Sequence, residues 1–342
     1  MKPVLLFILM VIGHNILAAD LKLYYSLVNK AEIAIIHDRP DEAMTFYEQA
    51  FNKKERPFAT DIYNAAVCAL KSNNNKKALE YCTSLAKRGV GKRFFEQSLF
   101  IPLRPHLEFP RLLTVADSMQ QYLSEKNRSV INRLASLTQQ DQDYHQLLRP
   151  ASGTEQYDSI YNAVRTVDNL TSRTLLQMFS EYELTEFRLG PFMLNDSTLC
   201  STPGWYIIIL HNYQGKFKDT DTLFSGILQT YIREGKIKPE SIAALMDNGS
   251  SMKGKKFYGQ AAHLFHSFGN KLYRNRHYFK DESSILSENR NSLMLYPIED
   301  LQQRVVYNFN HRENNPYLIN GLWAISGDGN SDPDEELYEL IR

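Results

Sequence analysis

Apolar residues along this chain recur at helical rather than strand spacing almost everywhere. The densest stretch is residues 205–260. It opens with the unbroken run Trp205-Tyr206-Ile207-Ile208-Ile209-Leu210, landing on His211-Asn212, and predicts a buried helix starting at Pro203 or Gly204. Leu223, Phe224, Ile227, Leu228, Tyr231 and Ile232 then repeat at helical spacing, with Asp219-Thr220-Asp221 as a cap and Gly235 as a stop. Pro239 starts a further helix through Ile242, Ala243, Leu245 and Met246. Two longer helices come before this stretch. Residues 129–148 carry the stripe Val130, Leu134, Leu137, Tyr144 and Leu148; residues 157–182 carry Tyr157, Tyr161, Val164, Thr171, Leu175, Met178 and Tyr182. Each stripe is interrupted by a carboxylate, Asp141 in the first and Asp168 in the second. A carboxylate on a core-facing stripe must be paired or hydrogen-bonded, because burying its bare charge is too costly. Residues 298–308 read as helix. Lys256-Phe257-Tyr258-Gly259-Gln260 and Ser292-Leu293-Met294-Leu295-Tyr296 read as short strands, predicted to pair in one small β-hairpin. The fold class that follows is mainly α.

The N-terminal third carries a repeat. Leu27, Ala31, Ala34, Ala43, Tyr47 and Ala50 find counterparts 35 residues later in Ile62, Ala66, Ala69, Ala78, Cys82 and Leu85. Small residues let paired helices approach closely, while the bulky ones fill the space between successive hairpins. Turns fall at His37-Asp38-Arg39-Pro40 and Ser72-Asn73-Asn74-Asn75. This pattern resembles the tetratricopeptide repeat, of whose first helix Tyr63-Asn64-Ala65-Ala66 is typical. It departs from that repeat in one extra residue of spacing and in Lys30, where a leucine is usual. Residues 92–100 and 109–123 read as a third, degenerate hairpin, and residues 124–128 as a polar joint. The expected organisation is a signal at 1–19, a tetratricopeptide-like helical domain at 20–125, a second α-helical domain at 126–326 and an acidic flexible tail at 327–342.

Composition narrows the partners. At 342 residues and 43% apolar content the chain can build two cores, and 39 basic residues balance 39 acidic ones. Nucleic acid or an anionic membrane as main partner is excluded on that balance, since both need a basic face. Lys2, the apolar run 4–13 and Ile16-Leu17-Ala18-Ala19-Asp20 have the form of a cleavable export signal. A periplasmic or secreted protein follows, with an uncleaved membrane anchor as the alternative and no membrane span once the signal is removed. Three cysteines make no disulfide scaffold and show no zinc spacing.

The second domain also carries a series of polar motifs: Asp141-Gln142, Asp168, His211, Gly235-Lys236-Ile237-Lys238-Pro239, Asp247, Tyr258-Gly259-Gln260 and Pro297-Ile298-Glu299-Asp300. In order and approximate spacing these resemble an uncharacterised bacterial domain family often found behind tetratricopeptide-like helices. His145 stands where that family has arginine, Leu210 where it has glutamine and Asn248 where it has arginine. The resemblance implies a fold and an order of elements, but no reaction.

Candidate chemistry gathers at Asp141, Asp168, His211, Asp247 and Tyr258. Carboxylates beside an imidazole can do acid–base work or instead form a buried network that fixes helix orientation. The spacing designates no nucleophile, cofactor or metal. His263 and His266, one helical turn apart, read as packing residues. The leading expectation is an exported interaction or scaffolding module that binds protein or peptide through its repeats. The alternatives are a hydrolase-type enzyme using the Asp/His/Tyr cluster and a purely structural envelope component.

Overall fold

The computed structural model describes residues 2–215, 223–249, 258–260, 264–276, 283–319, 325–326 and 337–342. Helices α1 (Lys2–Ile36), α2 (Pro40–Phe51), α3 (Ala59–Lys71) and α4 (Asn75–Lys87) form two successive hairpins. Asp38 and Asn73 turn the corners with positive φ angles of 54° and 56°, a conformation that their short polar side chains tolerate. Asn74 caps α4 by accepting the Lys77 amide. Every residue of the 35-residue pairing is buried in one core. The third hairpin is reduced to α5 (Lys92–Phe95), a 3-10 turn (Ser98–Leu103) and α6 (Glu108–Lys126), which packs on α4.

One residue later α7 (Arg128–His145) begins the second unit, followed by α8 (Leu148–Ala151), α9 (Tyr157–Glu181) and α10 (Glu186–Leu189). The connection beyond α10 carries a two-residue ladder, β1 (Met193–Leu194) with β2 (Thr198–Leu199). The apolar run forms α11 (Tyr206–Gly215), with Ile208 and Ile209 fully buried. Helices α12 (Ser225–Arg233) and α13 (Pro239–Gly249) follow where the apolar spacing places them. Helices α7, α9, α11, α12 and α13 share the second core. The Asp219-Thr220-Asp221 cap and the strand residue Phe257 lie outside the described residues.

The expected hairpin between Tyr258 and residues 293–296 does not form. Both segments are irregular, and a side chain joins them instead of a strand ladder: Arg290 donates from Nη1 to the Tyr258 carbonyl at 2.6 Å and from Nε to the Tyr296 carbonyl at 2.8 Å. The hairpin of this fold lies between β3 (Phe265–Phe268) and β4 (Lys271–Asn275), turning at Gly269 with φ 58°. β5 (Ile325–Ser326) adds parallel to β3 and β6 (Tyr338–Leu340) antiparallel to β4. The end of the predicted tail is therefore an edge strand, while residues 327–336 lie outside the described residues. Helices α14 (Ser283–Ser292) and α15 (Ile298–Asn310) complete the chain, and Leu264, Phe265 and Leu272 of the hairpin region share a third core with Leu301 and Val305 of α15. Among the described residues no helix is long and apolar enough to cross a membrane. The predicted signal falls almost wholly outside the residues whose side chains are described.

The two units interlock. Arg304 of α15 donates to Glu32 at 2.9 Å and to Asn29 at 2.6 Å, both on α1. Lys238 forms an ion pair with Asp61 on α3, which also accepts the Tyr24 hydroxyl. Residues 315–319 run across α3. There the Asn64 side chain donates to the Leu318 carbonyl at 3.0 Å and accepts the Leu318 amide at 2.8 Å. Tyr63 donates to the Pro316 carbonyl at 2.6 Å. This face of the helical hairpins is thus covered by a segment of the same chain.

Candidate metal centre

Asp141 and His145 lie four residues apart on α7, so the helix presents both on one face. Asp168 comes from α9, which packs against α7, and His211 from α11, which packs on α9 and α7. His211 follows directly on the run whose isoleucines anchor α11 in the core, so its ring is carried in between the two long helices. One ligating atom from each of the four side chains can be chosen so that all lie within 4.8 Å of one another.

The bonding inside the cluster is pairwise. His211 Nδ1 lies 2.8 Å from Asp141 Oδ2, and His145 Nε2 lies 2.7 Å from Asp168 Oδ1. Gln142 donates to Asp141 Oδ2 at 3.0 Å. The two imidazole rings stack face to face with centroids 3.4 Å apart. Asp141 is fully buried, and its Oδ1 has no hydrogen-bond partner among the described residues. The His145 side chain is the most open of the four at 22% exposure.

Charge decides what this arrangement can hold. The ion-pair partners of Asp141 and Asp168 among the described residues are these two histidines. With neutral rings the cluster carries two uncompensated negative charges. Protonating both rings would supply the two charges, but it would set like charges 3.4 Å apart and still leave Asp141 Oδ1 without a donor among the described residues. One divalent cation balances the carboxylates and gives the unpartnered Asp141 oxygen a ligand. Two imidazoles with two carboxylates form a donor set suited to zinc or a similar transition metal rather than to calcium or magnesium.

The sequence-predicted residues divide into two groups. Asp141, Asp168 and His211 come together as expected. His145, readable in the sequence only as a departure from the family pattern, completes the set; its i, i+4 spacing from Asp141 was the available signal. Asp247 and Tyr258 belong elsewhere. Asp247 accepts the Tyr258 amide at 2.9 Å and the Gln260 amide at 2.6 Å, while Arg290 holds the Tyr258 and Gly259 carbonyls from the other side. Burial pushes the Asp247 carboxyl up to about 7, against the two amide donors that lower it. Gly259 sits at φ 66°, and a Cβ there would come within 3.1 Å of Ile298 and 3.2 Å of Leu286. The Tyr258-Gly259-Gln260 motif is therefore a clamped loop. His266 lies on β3 against the rings of Phe268 and Tyr338, and His263 is outside the described residues.

No protein-family model matches the chain, and neither does any curated protein or solved structure.

Proposed function

We propose that this chain is a metal-binding protein in which Asp141, His145, Asp168 and His211 hold one divalent transition-metal ion between α7, α9 and α11. The observation that carries the reading is the buried Asp141 oxygen, unpartnered among the described residues, inside a cluster of four ligands that no described lysine or arginine pairs with. With all four side chains bound, the ion cross-links three helices. If the half-exposed His145 gives way to water, the same ion becomes a Lewis acid able to activate that water for hydrolysis. This is the form that the hydrolase reading takes here. The test is metal content: dialysed protein should retain one zinc per chain, and Asp141→Asn should retain none. Wild-type protein that holds no metal after exposure to zinc ends this reading.

A second reading, an exported interaction module of the envelope, rests on a different observation. The α3 face accepts an extended main chain through both polar atoms of Asn64. The occupant is residues 315–319, so a partner peptide would have to displace them. The export signal at residues 1–19 supports the location, and N-terminal sequencing of protein expressed in a bacterial host tests it: a mature chain starting at Ala19 or Asp20 is the expected result.

A further inference from the structure

A cavity of about 670 Å³ lies where the two units meet, apart from the metal cluster, none of whose four residues lines it. Its apolar wall includes Tyr206, Ile207 and Leu210 of α11 and Leu318 of the segment crossing α3. At its polar end are Glu240, in the first turn of α13, and Thr60, at the start of α3.

Those two groups are unusual in the same way. Thr60 is 2% exposed and its hydroxyl has no hydrogen-bond partner among the described residues; the buried Glu240 Oε2 has none there either. A buried acceptor without a donor is a costly arrangement that native proteins seldom keep without a reason. The surrounding charges show what is missing. Lys238 is taken by Asp61 and Arg304 by Glu32. Arg290 lies near enough to Asp247 to lower that carboxyl's pKa. Glu240 has no ion-pair partner among the described residues; Lys238 and Arg304 act on its carboxyl only from a distance, and burial holds it above the usual carboxylate range. An anion at this end of the cavity would meet Glu240 and be repelled, whereas a cation there would favour the ionised carboxylate.

We propose that the cavity binds a small organic cation, a protonated amine carried on an apolar body, with Glu240 as the anchor, Thr60 as a second polar contact and the α11 wall covering the apolar part. The volume lies within the range that small-molecule sites occupy. This site stands independently of the metal centre.

The experiment titrates the full chain with n-hexylammonium, n-hexanol and hexanoate, matched in length and differing in charge, by calorimetry at neutral pH. Hexylammonium should bind once per chain, at least about tenfold more tightly than hexanol, as a charge-assisted hydrogen bond implies, and hexanoate should not bind. Glu240→Gln should remove that preference while retaining the wild-type circular dichroism spectrum and cooperative thermal unfolding, which show the fold intact. Equal affinity for hexylammonium and hexanol on the wild-type protein overturns the proposal without reference to any variant. So does an undiminished preference in Glu240→Gln, and so does the absence of binding by any of the three.

Discussion

Two places in this molecule bury carboxylates inside a helical core, and they solve the charge problem differently. At the junction of the units Glu32 and Asp61 are met by Arg304 and Lys238, groups that stay positive at any ordinary pH. Arg304 also lies over the Tyr296 ring at 3.9 Å and donates to the Asn29 side chain and the Asp300 carbonyl. That network is satisfied by the chain itself. At the α7–α9–α11 junction the ion-pair partners of Asp141 and Asp168 among the described residues are histidines, and one carboxylate oxygen has no donor among those residues. A permanent cation makes a clasp; two imidazoles suit the proposed divalent ion. The bare fact of a buried aspartate does not distinguish structure from site. The kind of partner does.

The largest expected effect lies on the clasp. Arg304→Ala removes the guanidinium that faces the buried Glu32 carboxyl and should cost about 3–5 kcal/mol in urea unfolding, with or without zinc. A loss below about 1 kcal/mol would mean that the interlock of the units rests on something else. Next comes the metal centre: zinc at a hundred times its dissociation constant should stabilise the wild type by about 2.7 kcal/mol and leave Asp141→Asn unmoved. If both proteins gain equally, zinc is binding at another place. A pH-dependent effect belongs to the Asp247 clamp. Its folded carboxyl is raised to about 7, so the folded chain holds that proton more tightly than the unfolded chain does. This contribution is complete below about pH 4 and is lost as pH rises through about 7, at up to about 1.4 kcal/mol per unit. Asp247→Asn should flatten the stability profile across that window. The smallest effect is expected at Arg133 and Glu181, paired at 2.9 Å on the exposed faces of α7 and α9. Arg133→Ala should change stability by no more than about 1 kcal/mol and leave zinc affinity as it was, which separates the metal centre from general helix packing.

Much of the helical layout was legible because its signal is local. The stripes of α7 and α9, the Gly235 stop after α12 and the 35-residue spacing all depend on sequence-local pattern. The same reading marked Asp141 and Asp168 as charged residues on apolar faces. Applied to α15 it would have marked Arg304, which shares the buried face with Leu301, Val305 and Asn308. What was not legible is long-range pairing. Nothing near Lys238 in sequence shows that it reaches Asp61, and nothing near Asn64 shows that Leu318 will lie on it. The hairpin was misplaced for a mixed reason. Tyr258 and Tyr296 are brought together, but through the Arg290 guanidinium, while the Gly269-Asn270 turn between alternating residues is a hairpin signal that stood in the sequence unused. His145 was missed because a histidine in place of an expected arginine reads as a loss until a second histidine is seen stacked on it.

The central claim is that the α7–α9–α11 cluster is a metal site. It is tested most directly by calorimetric titration of metal-free protein with zinc, repeated on Asp141→Asn, His145→Ala, Asp168→Asn and His211→Ala. Wild-type protein should bind one ion per chain, and each substitution should weaken that binding at least about tenfold, the scale at which even outer-shell changes act. Zinc binding that survives all four substitutions, or no zinc binding by the wild type, contradicts it.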